Sequence, residues 1–326
     1  MVHDSISYRS GRGCGLPSSL QVLIALRFYA SGTFQDMIGE LIGVSQVTVC
    51  RTLKRVTNAL YEHIDQHIKL PTQAEANIQK EKFFEMRGMP NIFGCIDGTH
   101  IRIQAPTPND QAVQFINRKN YHSINVQVCN MPGSVHDARI LRESALFEAF
   151  ERPQKPIDGI ILGDSGYMIR EWLLTPFPHV QTAPQEQYNY AHSATRTTIE
   201  RCIGVLKRRF HCLHTELRLA PRRVCKIVSV CMMLHNFAIR HGNVYDGADD
   251  IPPQLPPQPP GVADNPTERA RTAAGKAVRD RIVREYFRVW KLAGKSSTTF
   301  SATMADELAN GSVMQETISL TQQIYE

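Results

Sequence analysis

Asp97, Asp164 and Glu200 are the residues whose types and settings suit metal-assisted chemistry. Asp97 ends an apolar climb through Ile92, Phe93, Cys95 and Ile96 and precedes Gly98. Beyond it Ile101 and Ile103 alternate with Arg102 and Gln104, so the stretch reads as a largely buried strand with a bend or bulge at Gly98. A carboxylate there costs roughly 2 kcal/mol or more to bury without a partner. Taken alone, Asp97 is explained equally well by an Asp-Gly turn. Asp164 repeats the setting, because the apolar run 157–162 leads straight into Gly163-Asp164-Ser165-Gly166-Tyr167. Glu200 lies one position off the helical stripe Ile199, Ile203, Leu206 and Phe210, so it borders a buried face. The bland alternative for Glu200 is an ordinary helical ion pair with Arg196. Together, two strand aspartates and a helical glutamate make an all-oxygen donor set of the kind Mg²⁺ or Mn²⁺ prefers. Two such ions about 4 Å apart activate the attacking oxygen and stabilise the leaving oxygen of a phosphodiester.

The elements that must position these acids follow from periodicity. Residues 16–71 are helical, with Leu20, Leu23, Ile24 and Phe28 repeating in a first helix and Met37, Ile38, Leu41 and Ile42 in a second over 34–42. After the turn Gly43-Val44-Ser45, a third helix is expected over 46–67, capped by Ser45. That is the sequence form of a helix-turn-helix, with Gln46, Thr48, Arg51 and Lys54 facing outward toward DNA; the alternative is a plain three-helix bundle. A further helix over 73–84 precedes the Asp97 strand, and residues 121–129 alternate as a second strand. Ser134 is expected to cap a helix reaching Phe150, a Pro- and Gln-rich loop to cover 175–188, and Ser193 to cap a helix over 194–209. Helix over 222–241, a Pro-rich linker and an Arg-rich helix over 265–292 complete the pattern, with little order expected in the tail beyond Ser296. The domain boundaries so read are 1–72, 73–245, 246–264 and 265–326.

Charge fits a polyanionic partner. The chain carries a net +6, and residues 196–241 hold ten Lys/Arg against two acids, with Lys207 and Arg208 on the side of Glu200. The N-terminus lacks the apolar segment of a secretory signal, and no apolar run approaches the roughly 18 residues of a membrane span. The eight cysteines are scattered without a CxxC, as expected of reduced thiols. Cys202, His211, Cys212, His214, Cys225 and His235 follow no zinc spacing. A phosphatase of the haloacid dehalogenase type would need an aspartate nucleophile at Cys95 and a second acid at Met168, and both are missing.

The motifs GCIDGTHIRI (94–103), PGSVHDARIL (132–141), ILGDSGY (161–167), YNYAHSATRTTIE (188–200), GVLKRRF (204–210) and MLHNF (233–237) stand in this order. They resemble those of the Harbinger transposase-derived nucleases, cellular relatives of PIF/Harbinger transposases, over about residues 20–241. The resemblance implies an α/β fold: an RNase H-like DDE core behind an N-terminal all-α helix-turn-helix domain. It also implies Asp97, Asp164 and Glu200 as catalytic acids and metal ligands, a Mg²⁺ or Mn²⁺ cofactor and a DNA substrate. Nuclear residence and a Myb-like DNA-binding partner protein are implied as well. Asp137 is a fourth acid in a family motif, expected to hold the site in shape. One departure stands out: only Asn130-Met131 separates the second strand from the PGS turn, where the family carries another strand. The sheet is therefore expected to lose its third strand and expose an edge. The rival reading is a domesticated DNA-binding or scaffold protein that kept the fold and lost catalysis.

Overall fold

The computed structural model describes residues 2–7, 15–107, 112–129, 141, 145–243, 265–287 and 319–321. It is a mixed α/β fold in which a small sheet lies among helices. The chain opens with α1 (His3–Ile6), α2 (Ser18–Ser31), α3 (Gln35–Ile42) and α4 (Gln46–Tyr61). Gly43 takes a left-handed φ of 78° between α3 and α4, and a Cβ on Gly39 would lie 2.5 Å from the Val44 carbonyl oxygen. Both glycines are needed to bring the two helices so close. Ser45 caps α4 by accepting from the Thr48 amide. The third helix is shorter than its periodicity suggests, since the chain breaks after Tyr61 and resumes as α5 (Ile64–His67). A capping box between Thr72 and Glu75 starts α6 (Gln73–Arg87).

Then come β1 (Ile92–Arg102), β2 (Ser123–Cys129), α7 (Ala145–Glu151), β3 (Ile160–Leu162), β4 (Leu173–Leu174), α8 (Ala183–Arg209), α9 (Pro221–Arg240), α10 (Pro266–Tyr286) and β5 (Ser319–Thr321). The strand order is β4-β3-β1-β2-β5. β1, β3 and β4 are parallel, whereas β2 pairs antiparallel with β1 and β5 antiparallel with β2. β1 is buried from Ile92 to Ile96 and only partly covered beyond, where Ile101 alone is buried, as befits a strand covered on both faces only in its first half. One face of the sheet presents Cys95 and Leu162 to the main core, and the other presents Phe93, Ile96 and Ile161 to α7. There Phe93 stacks on Phe150 with ring centroids 6.0 Å apart.

Several expectations are corrected. Gly98 makes no bulge: the β1–β2 register runs unbroken through Gly98↔Gln127, and the irregularity falls against β3 between Ile92 and Gly94. The loop expected over 175–188 ends early, because α8 begins at Ala183 with Pro184 in its first turn, where a missing N–H is harmless. Ser193 is therefore inside the helix and caps nothing. The tail supplies a strand, and β5 pairs with Gln127, Val128 and Cys129 along the edge of β2 expected to be open. Asp137, most of the Ser134-capped helix and the Pro-rich linker lie outside the described residues. Among the described residues no helix is long and apolar enough to cross a membrane.

α10 packs onto the loop that follows β3. Arg170, almost fully buried, pairs with Glu151 (3.3 Å) and with Glu268 of α10. Arg279 donates to the Thr175 and Pro176 carbonyls and lies 3.7 Å over the Phe177 ring. A Cβ on Gly275 would meet the Arg170 backbone at 2.7 Å, so only glycine permits this approach.

Candidate active site

Cys95 of β1 lies opposite Leu162 of β3 in the parallel pair. Asp97 and Asp164 are each two residues further along. In strand geometry Asp97 shares the Cys95 face, and neighbouring strands lie about 4.8 Å apart. Both aspartates thus lie just past the paired segment of β1 and β3, Asp97 within β1 and Asp164 in the turn after β3, and both act on the charge of Arg196 on α8. Cys95 ties that helix down: its thiol donates to the Thr195 carbonyl (3.8 Å) and accepts from the Thr198 hydroxyl (3.9 Å).

Glu200 enters from α8 together with Arg196. The Arg196 guanidinium places one nitrogen 3.2 Å from Asp97 Oδ1 and the other 3.7 Å from Glu200 Oε1. These side chains are only 12%, 18% and 17% exposed for Arg196, Asp97 and Glu200, so their charges interact with little solvent screening. Asp164 completes the group from a tight turn in which its Oδ1 accepts from the Gly166 amide (2.9 Å) and the Tyr167 amide donates to its carbonyl (3.2 Å). Burial by itself would lower the Arg196 pKa, but the attraction of Asp97, Asp164 and Glu200 holds it above the ordinary value. Glu200 is raised, first by burial and further by the like charge of Asp164, while Arg196 opposes the shift.

The donor chemistry fits a hard divalent cation: three carboxylates of three separate elements, crowded enough that one is pushed toward its neutral form, converge on one cationic side chain. The geometry shown is that of carboxylates gathered on a guanidinium. Among the described residues no group of three or more His, Cys, Asp or Glu side chains is already arranged around a single metal position.

The residues read as DNA contacts are dispersed. Gln46 and Arg51 are exposed on α4, but Thr48 is half-buried and its hydroxyl is engaged with Ser45 (2.9 Å). Lys207 lies on the same helix as Glu200 and turns inward, donating from Nζ to the His100 carbonyl of β1 (3.2 Å). Burial lowers its pKa to about 8. Arg208 is half-buried beside it. Spacing alone gave Arg196 a place beside Glu200; its reach to Asp97 depends on how α8 crosses the sheet. His192, one turn earlier on α8, is buried and donates to the Leu174 carbonyl (3.3 Å); burial and then Arg196 push its pKa down to about 3. It is a neutral structural histidine. Burial also pushes the Cys225 thiol up to about 12, which keeps it protonated.

Known proteins resemble this chain over most of its length. Residues 96–236 match the family described as DDE superfamily endonuclease. The chain is 37% identical over 276 residues to the mouse (Mus musculus) protein named "Putative nuclease HARBI1", an alignment covering 79% of this chain and 78% of that protein. The human (Homo sapiens) protein of the same name is 36% identical over the same shares. "Protein ALP1-like" of Arabidopsis thaliana is 28% identical over 69% of this chain and 62% of its own length. No solved structure gives a significant match.

Proposed function

Because the chain belongs to the Harbinger transposase-derived nucleases, we propose that it is a metal-dependent endonuclease that cuts DNA phosphodiester bonds. Asp97, Asp164 and Glu200 are its catalytic acids and its metal ligands. The observation that carries this reading is that the three acids, from β1, from the turn after β3 and from α8, all act on Arg196 just past the paired segment of two parallel strands. The domain from 73 to 245 is then an RNase H-like DDE core, and α3 and α4 form a helix-turn-helix that presents Gln46 and Arg51 to DNA. Mg²⁺ or Mn²⁺ bound by the three acids would supply activation of the attacking oxygen and charge stabilisation at the leaving oxygen. Asp97 and Asp164 are fixed by backbone amides, Gly98 for the first and Gly166 for the second, so they hold their direction before any ligand arrives. Arg196 keeps Asp97 and Glu200 apart and lowers the cost of gathering three negative charges. Lys207 offers a cation at the same helix face, toward a scissile-strand phosphate. The protein works in the nucleus in this reading, beside a Myb-like DNA-binding partner.

One observation favours a second reading. Arg196 satisfies Asp97 and Glu200 without any ion, which suits a scaffold that retained the fold and lost catalysis. Incubating the purified protein with plasmid DNA and Mg²⁺ or Mn²⁺ separates the two. Nicking by the wild type that disappears in Asp164→Ala supports the nuclease. Equal, negligible nicking by both, with DNA binding retained, establishes the scaffold.

A further inference from the structure

A second charged site lies where α4 meets α9. A cavity of about 310 Å³ opens between them, lined by Lys54 and Asn58 of α4 and by Arg222, Arg223 and Lys226 of α9, over apolar Leu53 and Ile227. None of its lining residues is acidic. Among the described residues none of the four cations has a carboxylate partner. Arg223 points both terminal nitrogens at the Cys50 sulfur, a weak acceptor, at 3.7 and 3.8 Å. Lys226 settles for the neutral Asn58 amide oxygen at 3.0 Å and for the Tyr61 ring at 5.1 Å. Arg170, by contrast, is buried against two glutamates. A cavity beside α10, by comparison, mixes Lys276 and Arg279 with Glu268 and Asp280.

Four cations without a carboxylate partner repel one another, and the neutral contacts that Arg223 and Lys226 make leave that charge in place. The positive end of α9 adds to the same field. We infer that this cavity is a phosphate-binding site that grips one backbone phosphate of DNA, at a distance from the acid cluster and one turn along α4 from Arg51. The inference rests on the reading of DNA as substrate. The site anchors the duplex and carries no sequence information, because phosphate contacts fix register and orientation only.

Two variants test it: Arg223→Gln/Lys226→Gln, and Lys54→Gln/Arg222→Gln, whose side chains are exposed enough to be changed without disturbing packing. A labelled duplex is titrated at several salt concentrations without divalent metal, and thermal midpoints are read with inorganic phosphate against chloride at matched ionic strength. In the wild type phosphate raises the midpoint. In both variants it does not, duplex affinity falls on the order of tenfold, and the salt slope shrinks by about one. Without phosphate, Lys54→Gln/Arg222→Gln holds or raises the midpoint, because repulsion is relieved; a fall would make these cations structural and overturn the proposal. Unchanged affinity and slope in both variants would overturn it too. Phosphate stabilisation in a wild type that does not bind duplex would replace DNA by another phosphate ligand and overturn the assignment. If the wild type and not the variants shows the phosphate and duplex effects, yet the wild type never nicks plasmid, the phosphate site stands and the nuclease reading fails.

Discussion

The acid cluster and the basic cavity are built on opposite principles. In the first, three carboxylates gather near a cation that the protein itself supplies, which offsets part of their charge. In the second, four cations converge with no acid among them. A partly compensated cluster holds its shape without a ligand, its aspartates being fixed by backbone amides. An uncompensated one is strained until its ligand arrives. On the proposed reading the first does chemistry and the second anchors, since catalytic charges must be positioned before reaction whereas an anchor needs only net attraction.

The largest expected effect falls on the acids. Asp164→Ala should reduce plasmid nicking on the order of 10²–10³-fold, the scale of losing one preorganised electrostatic group, while duplex affinity measured without metal holds within a few-fold. A matching loss of affinity would erase the division between chemistry and anchoring. Next comes Arg196→Ala, which leaves Asp97 and Glu200 to repel each other. It should cost about 2 kcal/mol in urea denaturation, below the roughly 3–5 of a broken, fully buried pair because the cluster keeps some solvent contact. Mn²⁺ should raise the thermal midpoint of this variant more than that of the wild type. Equal shifts would show that Arg196 and a metal do not serve the same carboxylates.

Lys207 is expected to produce a smaller effect, visible in pH. Its pKa of about 8 means that duplex affinity should weaken several-fold as pH rises through 8, and Lys207→Arg, charged throughout, should flatten the profile. Stability should move the opposite way. The unfolded lysine keeps its proton up to about 10.5, so between about 8 and 10.5 the unfolded state binds more protons and folding becomes more favourable with pH. A flat affinity profile in the wild type would remove Lys207 from the DNA surface. The smallest effect is expected at Arg51, exposed and isolated on α4. Arg51→Ala should lower the salt slope of duplex binding by about one and leave nicking per bound complex unchanged.

The setting of each acid can be read in the sequence because each aspartate closes an apolar run, Asp97 in mid-strand before Gly98 and Asp164 in the turn after β3, and Glu200 lies just off a helical stripe. Those are local signals. Arg196 illustrates what local signals miss: its pairing with Glu200 follows from helical spacing, but its bond to Asp97 spans 99 positions and depends on Cys95 clamping α8 to β1. The early start of α8 was hidden by Pro184 and the glutamines around it, residues that suggest a loop and are tolerated in a first turn. β5 was illegible because Ser319-Leu320-Thr321 has no periodicity of its own; the edge of β2 gives it its conformation. The basic cavity escaped notice because its halves stand on helices far apart in the chain, and each half alone looks like a solvated face.

The seating of α10 has a consequence for how the molecule is made. Arg170 follows Asp164 by one short loop. Glu151, one of its two carboxylate partners, is already synthesised when Arg170 emerges, and Glu268, the other, lies 98 residues ahead. Chains leave the ribosome N-terminus first and fold in that order. The loop bearing Asp164 therefore waits, one charge short and with the Gly275 contact unmade, until translation has passed α10. The three acids exist as sequence once Glu200 is added, but the loop that follows Asp164 gains its last support only with α10, so a product truncated before α10 would carry the acids without that support.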